Sequence, residues 1–175
     1  MNLPVAIRLT CLALLLLTLP CITCAQDTAL VKKQAQRFAS ASFNGDFKTV
    51  TDLTYPKLVA LSGGRDEMQK LISERIEGLK KQGIIQFSGS VGSPGKFYKA
   101  GTQIHCLLPE TIILKMFNGH YVSRSYLLAI SNDMGKSWAF MDVGKMPPEV
   151  LYKLLPDYND NLVIPTPGKP MFFTD

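Results

Sequence analysis

TIILKMFNGHYVSRSYLLAIS, Thr111 to Ser131, decides the fold. Two apolar-rich runs, Thr111 to Phe117 and His120 to Ser131, flank Asn118-Gly119. A type I′ turn needs positive φ at both central residues, and Asn-Gly tolerates that best, so a hairpin is expected. A two-residue turn pairs Phe117 with His120, Met116 with Tyr121, Leu114 with Ser123 and Ile112 with Ser125. Paired residues share a face, and faces alternate along each strand. One face then carries Ile112, Leu114, Met116, Tyr121, Ser123, Ser125, Leu127 and Ala129. It holds no charge and is the expected interior. The other carries Ile113, Lys115, Phe117, His120, Val122, Arg124, Tyr126, Leu128 and Ile130, and is amphipathic.

Upstream the hydrophobic period changes from two to three and four. Leu30, Val31, Ala35, Phe38 and Ala39 mark a helix capped by Asp27 or Thr28 and stopped at Asn44-Gly45. Asp46 caps a short second helix with Phe47, Val50 and Leu53, and Pro56 opens a third turn with Leu58 and Val59. After Ser62-Gly63-Gly64, Met68, Leu71, Ile72, Ile76 and Leu79 form one face of the clearest helix, with Lys80 and Lys81 at its cation-favouring end and Gly83 ending it. Ile84 to Val91 and Phe97 to Leu108 are expected strands joined around Ser93-Pro94-Gly95. Trp138 to Val143 is another. A short helix over Pro147 to Leu155 and a Pro-rich tail, Ile164 to Pro170, close the chain. Helices followed by a meander of strands imply an α+β fold.

SNDMGKSW, Ser131 to Trp138, fits S-x-D-x-G-x-[ST]-W, the box that sialidases and other β-propellers repeat on successive blades. A propeller needs several blades and several hundred residues, and this chain has 175 residues and one copy. Between two strands, Asn132-Asp133-Met134-Gly135 supplies turn chemistry instead, with Asp accepting backbone hydrogen bonds and Gly taking the awkward dihedral.

Residues 1–25 are expected to be a secretory signal peptide: Arg8, then the apolar LTCLALLLLTLPCIT, then small residues before cleavage between Ala25 and Gln26. The apolar run is short and broken by Pro20, so no membrane span is expected. Cys24 leaves a lipid anchor open, although Cys21-Ile22-Thr23 fits a lipidation signal poorly. Export to a periplasm or the exterior is the expectation, with residues 26–146 as the folded domain and 147–175 as a short helix and tail. Of four cysteines only Cys106 lies beyond the leader, so packing rather than a disulfide must hold the domain. Lys and Arg total 19 against 14 Asp and Glu, scattered and without aromatic interleaving, which gives no sign of a nucleic-acid partner.

Asn44-Gly45-Asp46, Thr54-Tyr55-Pro56, Gly63-Gly64-Arg65-Asp66 and the late Gly135-Lys136-Ser137-Trp138-Ala139-Phe140 together resemble the nuclear-transport-factor-two-like superfamily, the cystatin-like α+β roll. The first of these departs from the family's usual Ala-Gly-Asp. The resemblance spans roughly Gln26 to Val143 and implies N-terminal helices packed in a strongly curved antiparallel sheet, a cone with an open end. It also implies that the outer sheet face can form a homodimer. The superfamily hosts enzymes, binders and scaffolds alike, so it implies no single activity.

In that cone the interior face offers Tyr121, Ser123 and Ser125 as polar groups, with Met116 and Leu114 beside them as the expected lining of a ligand pocket. His105 is expected to point outward, because Ile104 and Cys106 make the more apolar set. His120 flanks a turn, and neither histidine has the neighbours of a zinc site, so no metal and no cofactor is expected. Two functions stand. One is a non-catalytic exported protein that binds a small apolar ligand or a partner chain through the cone or outer sheet face. The other is an isomerase- or dehydratase-like enzyme using Tyr121 and His105. The enzyme needs an ionisable group inside a cavity, and His105 with an acidic residue within hydrogen-bond reach in the cone would decide for it; the binder needs only volume or an apolar outer face.

Overall fold

The computed structural model describes residues 28–175; the expected signal segment, with Cys24, Ala25, Gln26 and the expected Asp27 cap, lies outside the described residues. Four helices come first: α1 (Thr28–Asn44), α2 (Phe47–Leu53), α3 (Pro56–Leu61) and α4 (Arg65–Lys81). Gly45 has φ +75°, the left-handed geometry that ends α1, and the Asp46 carboxylate accepts Thr49 N–H at 3.0 Å to cap α2. Thr54-Tyr55-Pro56 joins α2 to α3 and docks on the sheet, with Tyr55 N–H donating to Phe140 O at 3.0 Å.

Six strands follow: β1 (Gln86–Val91), β2 (Tyr98–Ala100), β3 (Gln103–Met116), β4 (Gly119–Ser131), β5 (Ala139–Asp142) and, after α5 (Pro148–Leu154), β6 (Met171–Thr174). All pairings are antiparallel, in the order β1-β3-β4-β5, with β2 also on β3 and β6 also on β4. The sheet curls into a half-barrel around the N-terminal helices, so the fold is α+β.

Two differences from the sequence-based expectation matter. The hairpin pairs Met116 with Gly119 and Leu114 with Tyr121, two positions from the expected register. Gly119 belongs to the strand because β6 crowds it: a Cβ there would stand 2.1 Å from Phe173 O. The faces nonetheless survive, since a slip of two restores the same side in a structure of period two. The expected strands Phe97–Leu108 and Thr111–Phe117 are also divided differently. The break falls at Gly101-Thr102, where Gly101 has φ +59°, and β3 runs unbroken from Gln103 through Pro109. Pro109 is tolerated because its donor-less nitrogen faces the side where β1 has just ended; its carbonyl still accepts Gly92 N–H at 2.8 Å.

Two cores lie on opposite faces of this sheet. On the concave face Val31, Ala35, Phe38 and Ala39 of α1 pack against Ile104, Cys106, Leu108, Leu127, Ala129 and Phe140. On the convex face Leu128, Ile130 and Met141 are buried beneath Leu151, Leu154, Leu155 and Leu162 of α5 and the tail. The C-terminal segment therefore covers the outer aliphatic residues that the resemblance offers to a dimer partner. Burial of these side chains, at roughly 1.5–3 kcal/mol each, explains why the tail is held to the sheet.

The SNDMGKSW turn is closed by its own side chains. Asp133 accepts Ser137 N–H at 2.9 Å and Ser137 Oγ at 2.6 Å, Ser131 Oγ accepts Gly135 N–H at 2.8 Å, and the Trp138 indole donates to Gly135 O at 3.1 Å. These bonds hold the Asp133 carboxyl down at about 2. Met134 and Gly135 take positive φ, 61° and 91°.

Candidate functional site

Alternation along β3 and β4 places Glu110, Ile112 and Leu114 on the concave face with Ser125, Ser123 and Tyr121 opposite them, pair by pair. β1 adds Val91, Gly89 and Phe87 to the same face, and β6 adds Phe172 beside Tyr121. The end of α1 covers the middle of this row: Phe43 lies over Gly89, so close that a Cβ there would meet its ring at 2.8 Å. Past that point the face is only half covered. Phe87, Ile112, Leu114, Met116 and Ser123 are half-buried, while Tyr121 and Phe172, with ring centroids 4.9 Å apart, are 38% and 40% exposed. The result is an apolar strip open at the hairpin end.

Glu110 stands at the closed end of the strip and is 6% exposed. Glu110 overturns the expectation of an uncharged interior, which assigned no face to Leu108-Pro109-Glu110. Once β3 is continuous, Glu110 must face inward with Leu108 and Ile112. Ser125, opposite it in the ladder, is buried and donates to Asp142 Oδ1 at 2.6 Å; Asp142 also accepts Gly144 N–H at 3.0 Å. The Glu110 side chain has no hydrogen-bond or ion-pair partner among the described residues. Among those residues the one fully buried side-chain polar atom without a partner is His105 Nδ1, so the unpaired Glu110 oxygens touch solvent. Burial, and then the charge of Asp142, push the Glu110 carboxyl up to about 7.

His105 lies elsewhere. It is fully buried on the convex face beneath the C-terminal segment, with Nε2 3.0 Å from Gln103 Oε1 and its ring 6.0 Å from that of Tyr158. Burial lowers its pKa to about 4. Its strand position, 105, is nine residues from Leu114, the partner of Tyr121, or roughly 30 Å along the strand at ~3.3 Å per residue. Tyr121 and His105 therefore occupy opposite faces and opposite ends of the sheet and do not form one site. Cys106 is buried in the concave core, and its thiol is pushed up to about 12 by burial. His120, at the open end, is stacked on Phe173 and bonded to Asp175 at 3.1 Å.

The convex face carries a second depression, a cleft of about 240 Å³ among Tyr98, Leu107, Pro109, Tyr126, Leu162 and Val163. It is small beside the ~300–1,000 Å³ of ordinary small-molecule sites. Among the described residues no group of three or more His, Cys, Asp or Glu stands together as a metal site, and no helix is long and apolar enough to cross a membrane. No protein-family model, no curated protein and no solved structure matches the chain.

The sequence signal that could have found Glu110 was present. Ile104, Cys106, Leu108, Ile112 and Leu114 alternate in a single phase, and Glu110 is the missing member of that series. Proline at 109 masked it.

Proposed function

We propose that this chain is an exported, non-catalytic member of the cystatin-like roll superfamily that binds a small apolar ligand on the concave face of its sheet. The half-covered strip from Tyr121 and Phe172 to Ile112 carries this reading, because apolar side chains held open on a rigid curved sheet leave hydrophobic area for a guest to bury. The four family-like motifs and the half-barrel support the superfamily assignment, and the basic, apolar, small-residue order of residues 1–25 supports export.

Fluorescence of the uncharged dye N-phenyl-naphthylamine tests the binding reading. Emission should rise on mixing with the protein and should be lost in Ser123→Trp, whose indole fills the strip. A dye response that survives Ser123→Trp and disappears when Leu107→Trp fills the convex cleft would place the ligand on the other face instead.

One observation favours a second reading, an acid–base enzyme: a buried carboxyl held near neutrality, Glu110, stands where a proton-transfer group is useful. In that case exchange of the α-protons of a cyclic ketone with D2O, followed by NMR, would be accelerated by the protein and abolished by Glu110→Gln.

A further inference from the structure

We infer that the concave strip is built for a ligand with an apolar body and a cationic head, a long-chain primary amine in chemical class, whose ammonium group is held by Glu110 with Asp142 beside it. The inference rests on the binding reading above and adds the chemistry of the ligand's polar end.

Three observations carry it. Glu110 is more than nine-tenths buried yet has neither a hydrogen-bond donor nor a cation as partner among the described residues. A carboxyl in that condition costs free energy unless something supplies a donor; the described chain supplies none, and the little solvent its oxygens touch is the route by which a ligand's donor can reach it. Ser125 cannot serve, because its hydroxyl proton is already committed to Asp142. What remains facing Glu110 is acceptor-rich: the Ser125 oxygen opposite and the Asp142 carboxylate beyond it, with no basic side chain paired to either acid.

The charge environment agrees with the geometry. Asp142 is the charged group that acts on Glu110, and it acts by repulsion. An ammonium group has three donors and no acceptor, so it matches a site that offers acceptors alone. It would convert two mutually repelling acids into a bridged pair. An alcohol brings one donor and no charge; a carboxylate adds a third negative charge. The apolar strip fixes the other end of the molecule: Ile112 and Leu114 follow Glu110 on the same strand face, and Tyr121 and Phe172 close the open rim. A straight alkyl chain would run along β3 and β4, passing Phe43, which covers the β1 side of the row at Gly89.

Displacement of the bound naphthylamine dye by dodecylamine, dodecanol and dodecanoate, the alcohol below its solubility limit and the other two below their micelle concentrations, tests the inference at pH 7. The amine should displace the dye at a concentration about tenfold or more below the alcohol, the ratio expected of one charge-assisted hydrogen bond, and the carboxylate should be weakest. Glu110→Gln should erase the preference for amine over alcohol while dodecanol still binds. Asp142→Asn, at an exposed position where the amide oxygen can still accept from Ser125 Oγ and Gly144 N–H, should reduce the preference in part. Equal displacement by amine and alcohol, or a preference unchanged in both variants, overturns the cationic head alone. Failure of the dye and all three amphiphiles to bind overturns the apolar site as well.

Discussion

Ser125 donates its hydroxyl proton to Asp142 at 2.6 Å and stands opposite Glu110 in the β3–β4 ladder, so the hydroxyl nearest Glu110 along the ladder is committed to the wrong acid to satisfy it. Stability should reveal that. The folded Glu110 carboxyl lies at about 7 against an ordinary 4.5. A raised acid binds its proton more tightly when folded, so its contribution is fully present below pH 4.5 and is lost as pH climbs to about 7, by roughly 3 kcal/mol. Glu110→Gln should therefore be more stable than the parent at pH 8 and level with it at pH 4.5, measured by urea midpoints.

His105 works in the opposite sense. Its folded pKa of about 4 lies below the ordinary 6.5 because the ring is buried. The unfolded state binds the proton more readily, so stability is intact above pH 6.5 and falls as pH drops toward 4, again by roughly 3 kcal/mol. Between pH 4.5 and 6.5 the two slopes oppose each other, and the parent's stability should be nearly flat there. Replacing His105→Phe, which keeps a ring against Tyr158 and removes the unpaired nitrogen, should leave stability falling with rising pH across that window. A parent curve that slopes steeply between 4.5 and 6.5 would show that one of the two groups is not perturbed as described.

The tail divides into a part that holds the fold and a part that does not. Leu155 is 1% exposed against the convex face, and Leu155→Ala should cost about 2–5 kcal/mol of stability, read from chemical melts. The β6 side chains are all exposed. Ending the chain after Gly168 removes the β4–β6 ladder and the Phe172 contact with Tyr121 but no buried side chain, so it should cost less stability than Leu155→Ala in the same melts. Ending it after Gly144 uncovers Leu128, Ile130 and Met141 and should yield aggregated protein in size-exclusion chromatography.

The SNDMGKSW turn should be purely architectural. Asp133→Ala removes acceptors from Ser131, Ser137 N–H and Ser137 Oγ. A loss of about 1 kcal/mol in stability with unchanged dye binding is expected. Loss of binding at equal stability would give the turn a functional role that its own hydrogen bonds do not suggest.

How much of this the chain announces in advance depends on how local the physics is. Helix starts at Asp46 and Pro56, the stops at Gly45 and Gly83, and the two faces of the hairpin all follow from dihedral preferences and from a side-chain period of two, so residues near in sequence suffice to fix them. Even the register slip at Gly119 left Leu114, Tyr121 and Ser123 on the concave side, because only odd slips exchange faces. What covers a face is another matter. Glu110 faces inward only because β3 continues through Pro109 where β1 has run out, and His105 is sealed only because residues some fifty positions later, Leu155 and Tyr158 among them, fold back over its face. Alternation tells each side chain which way to point, but burial, charge and an unmet hydrogen bond are decided by what the rest of the chain brings against it.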